Sequence, residues 1–422
     1  MARLDYATLR DAVAGSAPAL RCRTVLQPAG GPGTKVFPPT YGVSQGARTR
    51  YAMEKHHLDG KDRDDVILDS VAAQANAHED GLLAGLEAGE LDFPNPFVDF
   101  TEDEDLADLG TLSALQVPHR LADAIFRDSL IEGTLFRLSD LGRWVTDATP
   151  NNATAMYATS PASLFLGIWD STGPKGGLGS KFQRALTSEI IGENAQLGVS
   201  VGSRIDPLQI GRTAAFVYEA ADPNEDWTLN EAEAKREKGK PVGVGKAGEL
   251  GRPSVINHGN VTPSIVDQAG GVTIDRAIQT TVLSLAALRK LRFVTATDGK
   301  LLDPAARREA ELAARTAVAA LAVAAIAYQR EQDYDLRSRC LLVPQEAPEL
   351  ELVPRYGGDS QKFEISVESA AELLRDAAAA AADAGMGWST EQVRLVPAPK
   401  LKDLIRKNRL AFQSVTQDEV EA

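Results

Sequence analysis

Apolar residues along this chain fall in short bursts separated by glycine, proline and charged segments, and each burst predicts one element. Tyr6 to Ala14 reads as a short helix stopped by Gly15. Leu20 to Leu26 reads as a strand that runs into PAGGPGTKVFPPTYG, Pro28 to Gly42, a loop with glycine or proline at almost every turn. Asp65 to Leu68 is a short strand, and Ser70 to Leu86 follows as a helix. Residues 87–108 are acidic and read as an exposed insertion or loop. Pro118 suits the first turn of a helix that ends before Gly133. Ala162 to Trp169 has the length of a strand, and the loop Asp170 to Gly179 leads into a helix, Ser180 to Ile191, closed by Gly192.

Ala214 to Tyr218 is a further strand, and the polar, glycine-rich stretch Asp222 to Pro253 reads as a protruding hairpin or mobile insertion. Two long helices are expected next, Ile274 to Leu291 and a second one capped by Asp303 with Pro304 at its first position. Strands near Cys340 to Val343 and Leu350 to Val353 precede a helix opened by the pair Ser369 and Glu372, which Gly385 ends. A strand, Gln392 to Val396, and a basic tail helix complete the chain. Strands and helices interleave without a short repeat, so the class is α/β or α+β.

Charge sharpens this picture. The 422 residues carry 45 Lys+Arg against 59 Asp+Glu, a net charge of -14, which argues against a generally basic nucleic-acid binder. The charges are segregated, however. Nine acidic residues and no basic one lie between Glu87 and Asp108, whereas seven basic residues lie between Arg21 and Lys61 and six between Arg394 and Arg409. Such a chain is able to carry a positive groove on an acidic body, although a solvated face explains any single run as well.

Cys22 and Cys340 are far apart and form neither metal-ligand spacing nor a disulfide framework, which suits a reducing cytoplasm. The first residues, MARLDYATLRDAV, lack the apolar core of a signal peptide. The small-apolar run Thr316 to Tyr328 falls short of the ~20 residues of a membrane span. The five histidines include no H-E-x-x-H pair, and neither a metal nor a cofactor is expected.

The sharpest local feature is WDSTGPKGGLGSKF, Trp169 to Phe182. Gly173, Gly176, Gly177 and Gly179 would expose backbone N–H groups, the expected helix start would add positive dipole character, and Lys175 and Lys181 would add full charges, making a phosphate loop. The alternative is a tight turn that needs glycine for conformational reasons. A P-loop is not matched, because Pro174 stands where its first glycine belongs. GVGKAG, Gly243 to Gly248, follows a charged stretch instead of a strand, and GVSQG, Gly42 to Gly46, follows Pro38 and Pro39, so neither the dinucleotide nor the nucleophile-elbow motif has its context. Asp69 and Asp170 end strands, where catalytic carboxylates and capping residues both occur.

Other clusters pair small residues with one cation or amide. They include Lys35 in GGPGTK, Ser70 and Gln74 on one helical face, Arg120 in a first helical turn, Arg204 in SRIDP, and His258 and Asn260 in NHGN. This pattern suits a threaded phosphate backbone better than a compact ligand pocket.

The segments LQPAGGPGTKVFPPTY, ILDSVAAQAN, PHRLADAIFRDS, WDSTGPKGGLGSKF, SRIDP, INHGNVTPS and TTVLSLAALRKLRF together resemble the type I-G (formerly I-U) CRISPR backbone subunit, a RAMP-superfamily protein of the "Cas seven" type. The resemblance runs from about Leu20 to Phe293 and more loosely beyond. It implies an α+β fold, with an RRM-like (ferredoxin-like) palm enlarged by helical insertions and a thumb-like hairpin within 222–260. It implies one subunit spanning 1–422, with 303–422 as a helical C-terminal extension of the palm. It also implies copies stacked along a CRISPR guide RNA, pairing with target DNA through the guide, and contact with other Cascade subunits, namely the large subunit and a fused cap/processing subunit. RNA contact is carried to Lys35, Ser70, Gln74, Arg120, Lys175, Lys181, Arg204, His258 and Asn260, with no catalytic residue and no membrane partner. Two alternatives are a ribonuclease of the same superfamily using Asp69 or Asp170, and a nucleotide-binding enzyme using the loop at 169–182.

Overall fold

The computed structural model describes residues 2–44, 46–173, 179–211, 214–246, 250–389 and 391–420. It is an α+β protein whose chain divides into two units, one formed by Met1–Leu197 and Gly271–Leu401, the other by Gly198–Gly270 and Lys402–Ala422.

In the first unit, helix α1 (Tyr6–Ala14) precedes the long strand β1 (Ala19–Pro28). The hairpin β2 (Met53–Leu58) and β3 (Lys61–Asp69) leads to α2 (Val71–Glu87). Then come β4 (Ile168–Trp169), β5 (Lys181–Phe182), β6 (Leu186–Glu193) and β7 (Arg276–Ser284), the helix α3 (Pro304–Glu331), strands β8 (Leu341–Pro344), β9 (Glu349–Val353) and β10 (Gln361–Glu364), and α4 (Val367–Asp383). The main sheet runs β10–β9–β1–β7–β6–β3–β2, with β8 also pairing with β1.

Alternation is clearest in its centre. In β1, Leu20, Cys22, Thr24 and Leu26 are buried, and opposite them in β7 stand Leu283, Thr281, Gln279 and Ala277, also buried. α3 is the centre of the helical layer and packs against α1, α2 and α4. Asp303 caps it through the amides of Ala305 and Ala306. Eighteen of its residues from Ala310 to Gln329 are buried, and their alanine side chains allow close approach. At Gly81 of α2 a β-carbon would stand 2.7 Å from the backbone N of Gln329, so that crossing admits only glycine. α3 is long and apolar enough to cross a membrane by composition, but 89% of that window is buried in the fold.

Several expectations change. Ile274 to Leu291 is mostly the strand β7 followed by a single helical turn, Leu285–Leu288, capped by Ser284. Ile278, Thr280, Thr281 and Val282 are β-branched, and the core positions repeat every second residue, so the period-2 pattern prevails. Ser180 to Ile191 is likewise extended, as β5 and β6, for the same reason. No helix runs from Pro118 towards Gly133. Arg120 adopts φ 50, which a helix cannot accommodate, and the segment breaks into a turn, a short helix Ala124–Arg127 and a strand Ser129–Ile131. Ala162 to Trp169 contains a helical turn, Ser163–Leu166, that ends at Gly167 with φ 85. Of the strand expected at 214–218, only Tyr218 lies in one, the pair Tyr218–Glu219. The helix α4 begins three residues earlier than expected, with Ser366 as its cap and Ser369 closing the box.

The acidic stretch 87–108 is not uniformly exposed. Leu91, Phe93, Val98, Phe100 and Leu106 are buried, and Phe97–Asp99 joins a five-stranded sheet between Thr111–Ser113 and Arg394–Pro397. Within 303–422, α3 is the central core helix and β8 to β10 belong to the main sheet.

The second unit is wider than 222–260. It opens and closes on a two-stranded ribbon, Ser200–Arg204 against Val261–Val266, whose residues are almost all exposed. Two small hairpins lie within it, Tyr218–Glu219 with Trp227–Thr228 and Arg236–Glu237 with Lys240–Pro241. Gly243 bridges to Tyr218 in this unit, and among the described residues no dinucleotide-binding strand and helix flank it.

Candidate nucleic-acid interface

β4 and β5 form an antiparallel pair in which Trp169 stands opposite Lys181 and Ile168 opposite Phe182. Because strand residues alternate between faces, Ile168 and Phe182 anchor the hairpin in the core while Trp169 and Lys181 face outward. The Lys181 ammonium lies 4.9 Å from the centroid of the indole ring.

Beyond Trp169 the chain is pinned by a buried carboxylate. Asp170 accepts a hydrogen bond from Arg137 Nη2 at 2.6 Å and from the Thr172 amide, while its own amide donates to Ser180 O at 2.9 Å. Ser180 Oγ donates to Val145 O. Gly173 and Gly179 then form a neck. A β-carbon on Gly173 would stand 2.9 Å from Gly179 Cα, and one on Gly179 would stand 2.8 Å from Asp170 O. These two glycines are required by close approach of backbone. Lys175, Gly176 and Gly177 lie outside the described residues. The loop joins two strands and no helix follows it, so the expected dipole contribution is absent and the strand–loop–helix context of a nucleotide-binding enzyme is not met.

A groove of about 430 Å³ runs along this hairpin, lined by His119, Arg120, Gly167, Trp169, Lys181 and Arg184 among others. Arg120 is held from two sides, with Nε 2.7 Å from Glu79 Oε1 and Nη1 donating to Gly167 O at 2.8 Å. Glu79 is buried, and burial outweighs the attraction of Arg120, lifting its carboxyl to about 7. Arg184 donates to Leu166 O at 3.1 Å and to Val71 O at 3.3 Å. Burial, and then repulsion from Arg120, hold its guanidinium below the usual range. A second hollow of about 270 Å³ shares Lys181 and Phe182 with the groove and carries Lys290 on its wall. Cations therefore line two adjoining depressions on a protein of net charge -14.

The structure brings together some of the residues expected from sequence. Arg120 and Lys181 line the groove, and Gly173 and Gly179 build the neck of its hairpin. Ser70 caps α2 by accepting from the Ala73 amide, one residue from the Val71 carbonyl that Arg184 engages. Gln74 turns the other way. It is fully buried, donates to Asp69 Oδ2 at 2.8 Å and accepts from Ser188 Oγ and Gln279 Nε2, so its amide is consumed in the core. Ser70 and Gln74 thus do not share a face towards a ligand. Lys35 is half-buried in the loop before Val36, which bridges to Val272, and does not line the groove.

Three of the expected residues belong to the second unit. Arg204 is exposed at the end of the ribbon opposite Val261, Asn260 Oδ1 accepts from the Asp206 amide at 2.6 Å, and the His258 ring stands edge-on to Trp227 at 6.4 Å.

Trp169, His119 and Arg184 were not singled out from sequence. Trp169 was legible as the polar-facing partner in an alternating strand, had residues 180–191 been read as extended. Arg184 had no signal of its own.

Both suspected catalytic carboxylates are engaged. Asp170 holds Arg137 and the loop neck, and Asp69 accepts from Gln74 and from Arg337 Nη2 at 3.1 Å. Burial raises the Asp69 carboxyl. Among the described residues, no group of three or more His, Cys, Asp or Glu side chains is placed to hold a metal ion.

Residues 20–197 match the family model described as CRISPR-associated protein GSU0053. The matched stretch is less than half of the chain, and it contains every groove residue named above. The match supports a CRISPR-associated protein. Among curated proteins, nothing matches this chain.

Proposed function

We propose that the chain is the guide-RNA-binding backbone subunit of a type I-G CRISPR surveillance complex. In this reading it is a non-catalytic, cytoplasmic scaffold. Copies polymerise along the spacer RNA, present its bases for pairing with target DNA, and adjoin a large subunit and a fused cap/processing subunit. The antiparallel sheet backed by helices serves as an RRM-like palm, and the exposed ribbon of the second unit serves as the thumb-like element.

The observation that carries the reading is the convergence of Arg120, Lys181 and Arg184 around one open groove within the family-matched stretch of an acidic chain. Phosphate is the ligand that relieves the repulsion between Arg120 and Arg184. Base pairing supplies sequence recognition, so the protein needs only to hold backbone. The test is purification from cells that also express a CRISPR array. The chain should carry guide-length RNA, and the double variant Lys181→Glu, Arg184→Glu should not.

A further inference from the structure

The groove holds one feature that phosphate binding does not use. Trp169 keeps 58% of its surface exposed, although an indole is among the most favourable side chains to bury. Its position is enforced. The partner strand sets Trp169 opposite Lys181, and the burial of Ile168 and Phe182 prevents the hairpin from rotating it inward. The Lys181 ammonium stands over one face of the ring, 4.9 Å from its centroid, and the ring shares its groove with Arg120 and Arg184. A planar, apolar face set among cations matches a ligand with a planar, apolar face and an anionic link. The groove, about 430 Å³, has the size class of a small-molecule site.

Resting on the RNA-binding reading above, we infer that Trp169 is a stacking platform for one unstacked nucleobase of a single-stranded RNA, whose adjoining phosphates lie at Lys181 and Arg184. The contact is indifferent to base identity, because every base offers a π-face. It fixes the register of the strand at one point per subunit, while the hollow carrying Lys290 takes the chain onward from Lys181.

The experiment titrates the full chain against fluorescently labelled single-stranded RNA at several salt concentrations. The wild type is compared with Trp169→Phe, Trp169→Ala and Lys181→Ala. Stacking predicts that Trp169→Ala weakens binding between about fivefold and about a hundredfold, with an unchanged slope of log affinity against log salt. Trp169→Phe, which keeps a flat ring and serves as the folding control, should retain most of the affinity. Lys181→Ala should reduce the slope. If Trp169→Ala binds like the wild type while Lys181→Ala loses slope, the stacking site is refuted and the phosphate groove stands. If neither variant differs from the wild type, the groove itself is misassigned and the inference falls with it. If Trp169→Ala leaves RNA affinity intact but reduces oligomer size, the indole covers a protein face, which also overturns the proposal.

Discussion

Arg120 Nε lies 2.7 Å from Oε1 of the buried Glu79, and through this pair the middle of α2 is tied to the groove. The pair is asymmetric. Arg120 reaches the groove wall, whereas Glu79 is enclosed, so the carboxylate is the member that yields its charge.

The pH dependence follows from that asymmetry. The Glu79 carboxyl rises from 4.5 to about 7 on folding, so the folded state holds the proton more tightly. Its stabilising contribution is complete below pH 4.5 and is lost as pH climbs through 7. The loss is on the order of 3 kcal/mol. Urea unfolding between pH 5 and 8 should show this decline, and Glu79→Gln should flatten it. RNA affinity should move in the same direction, because protonation of Glu79 leaves the Arg120 charge uncompensated in the groove. Affinity should therefore rise from pH 8 to pH 6 in the wild type and much less in Glu79→Gln.

The crossing of α2 and α3 gives a second prediction. Gly81→Ala would place a methyl 2.7 Å from Gln329 N and 2.8 Å from Tyr328 C, both backbone atoms that cannot swing aside. Despite the better helix propensity of alanine, stability should fall by about 1–3 kcal/mol, read as a lower denaturation midpoint. At Gly85 the nearest atoms belong to the side chains of Leu91 and Tyr328, which are able to shift, so Gly85→Ala should cost less.

Gln74 supplies a third. Its truncation to alanine strips a partner from Asp69, Ser188 and Gln279 inside the core. Gln279 keeps Gln329 and Tyr334, but the network loses its link to α2. Stability should drop by about 1–3 kcal/mol. The salt slope of RNA binding, measured on the folded fraction, should be that of the wild type.

These contrasts show which features were legible in the sequence. Local punctuation was reliable at some helix ends and misleading at Pro118 and Gly192, which bound no helix. Asp303 with Pro304, Gly15, and Ser70 before an apolar run each marked a helix end where the structure has one. Residues 180–191 and 274–291 invite a helical reading because Phe182, Ala185, Leu186 and Ile190, like Ile274, Ala277 and Ile278, also fit a helical spacing, and pairing with β1 and β3 resolves it. The groove was half legible. Arg120 and Lys181 stood out as cations beside small residues, but Trp169 and Arg184 gain their meaning from strand pairing and from the Val71 and Leu166 carbonyls, contacts that no local window contains. Gln74 misled for a related reason. An amide one turn from Ser70 on the same helical face resembles a ligand contact until the facing strands place Ser188 and Gln279 against it.

The central claim is that the cations of this groove hold a strand of phosphates on an acidic protein. It is tested most directly by the ratio of absorbance at 260 and 280 nm of the assembly purified from cells expressing a CRISPR array, with sizing of the RNA it releases. The account predicts a nucleic-acid-rich ratio and a discrete RNA for the wild type, and a protein-like ratio for Lys181→Glu, Arg184→Glu of unchanged thermal stability. A folded double variant that retains the same RNA in the same amount would contradict it.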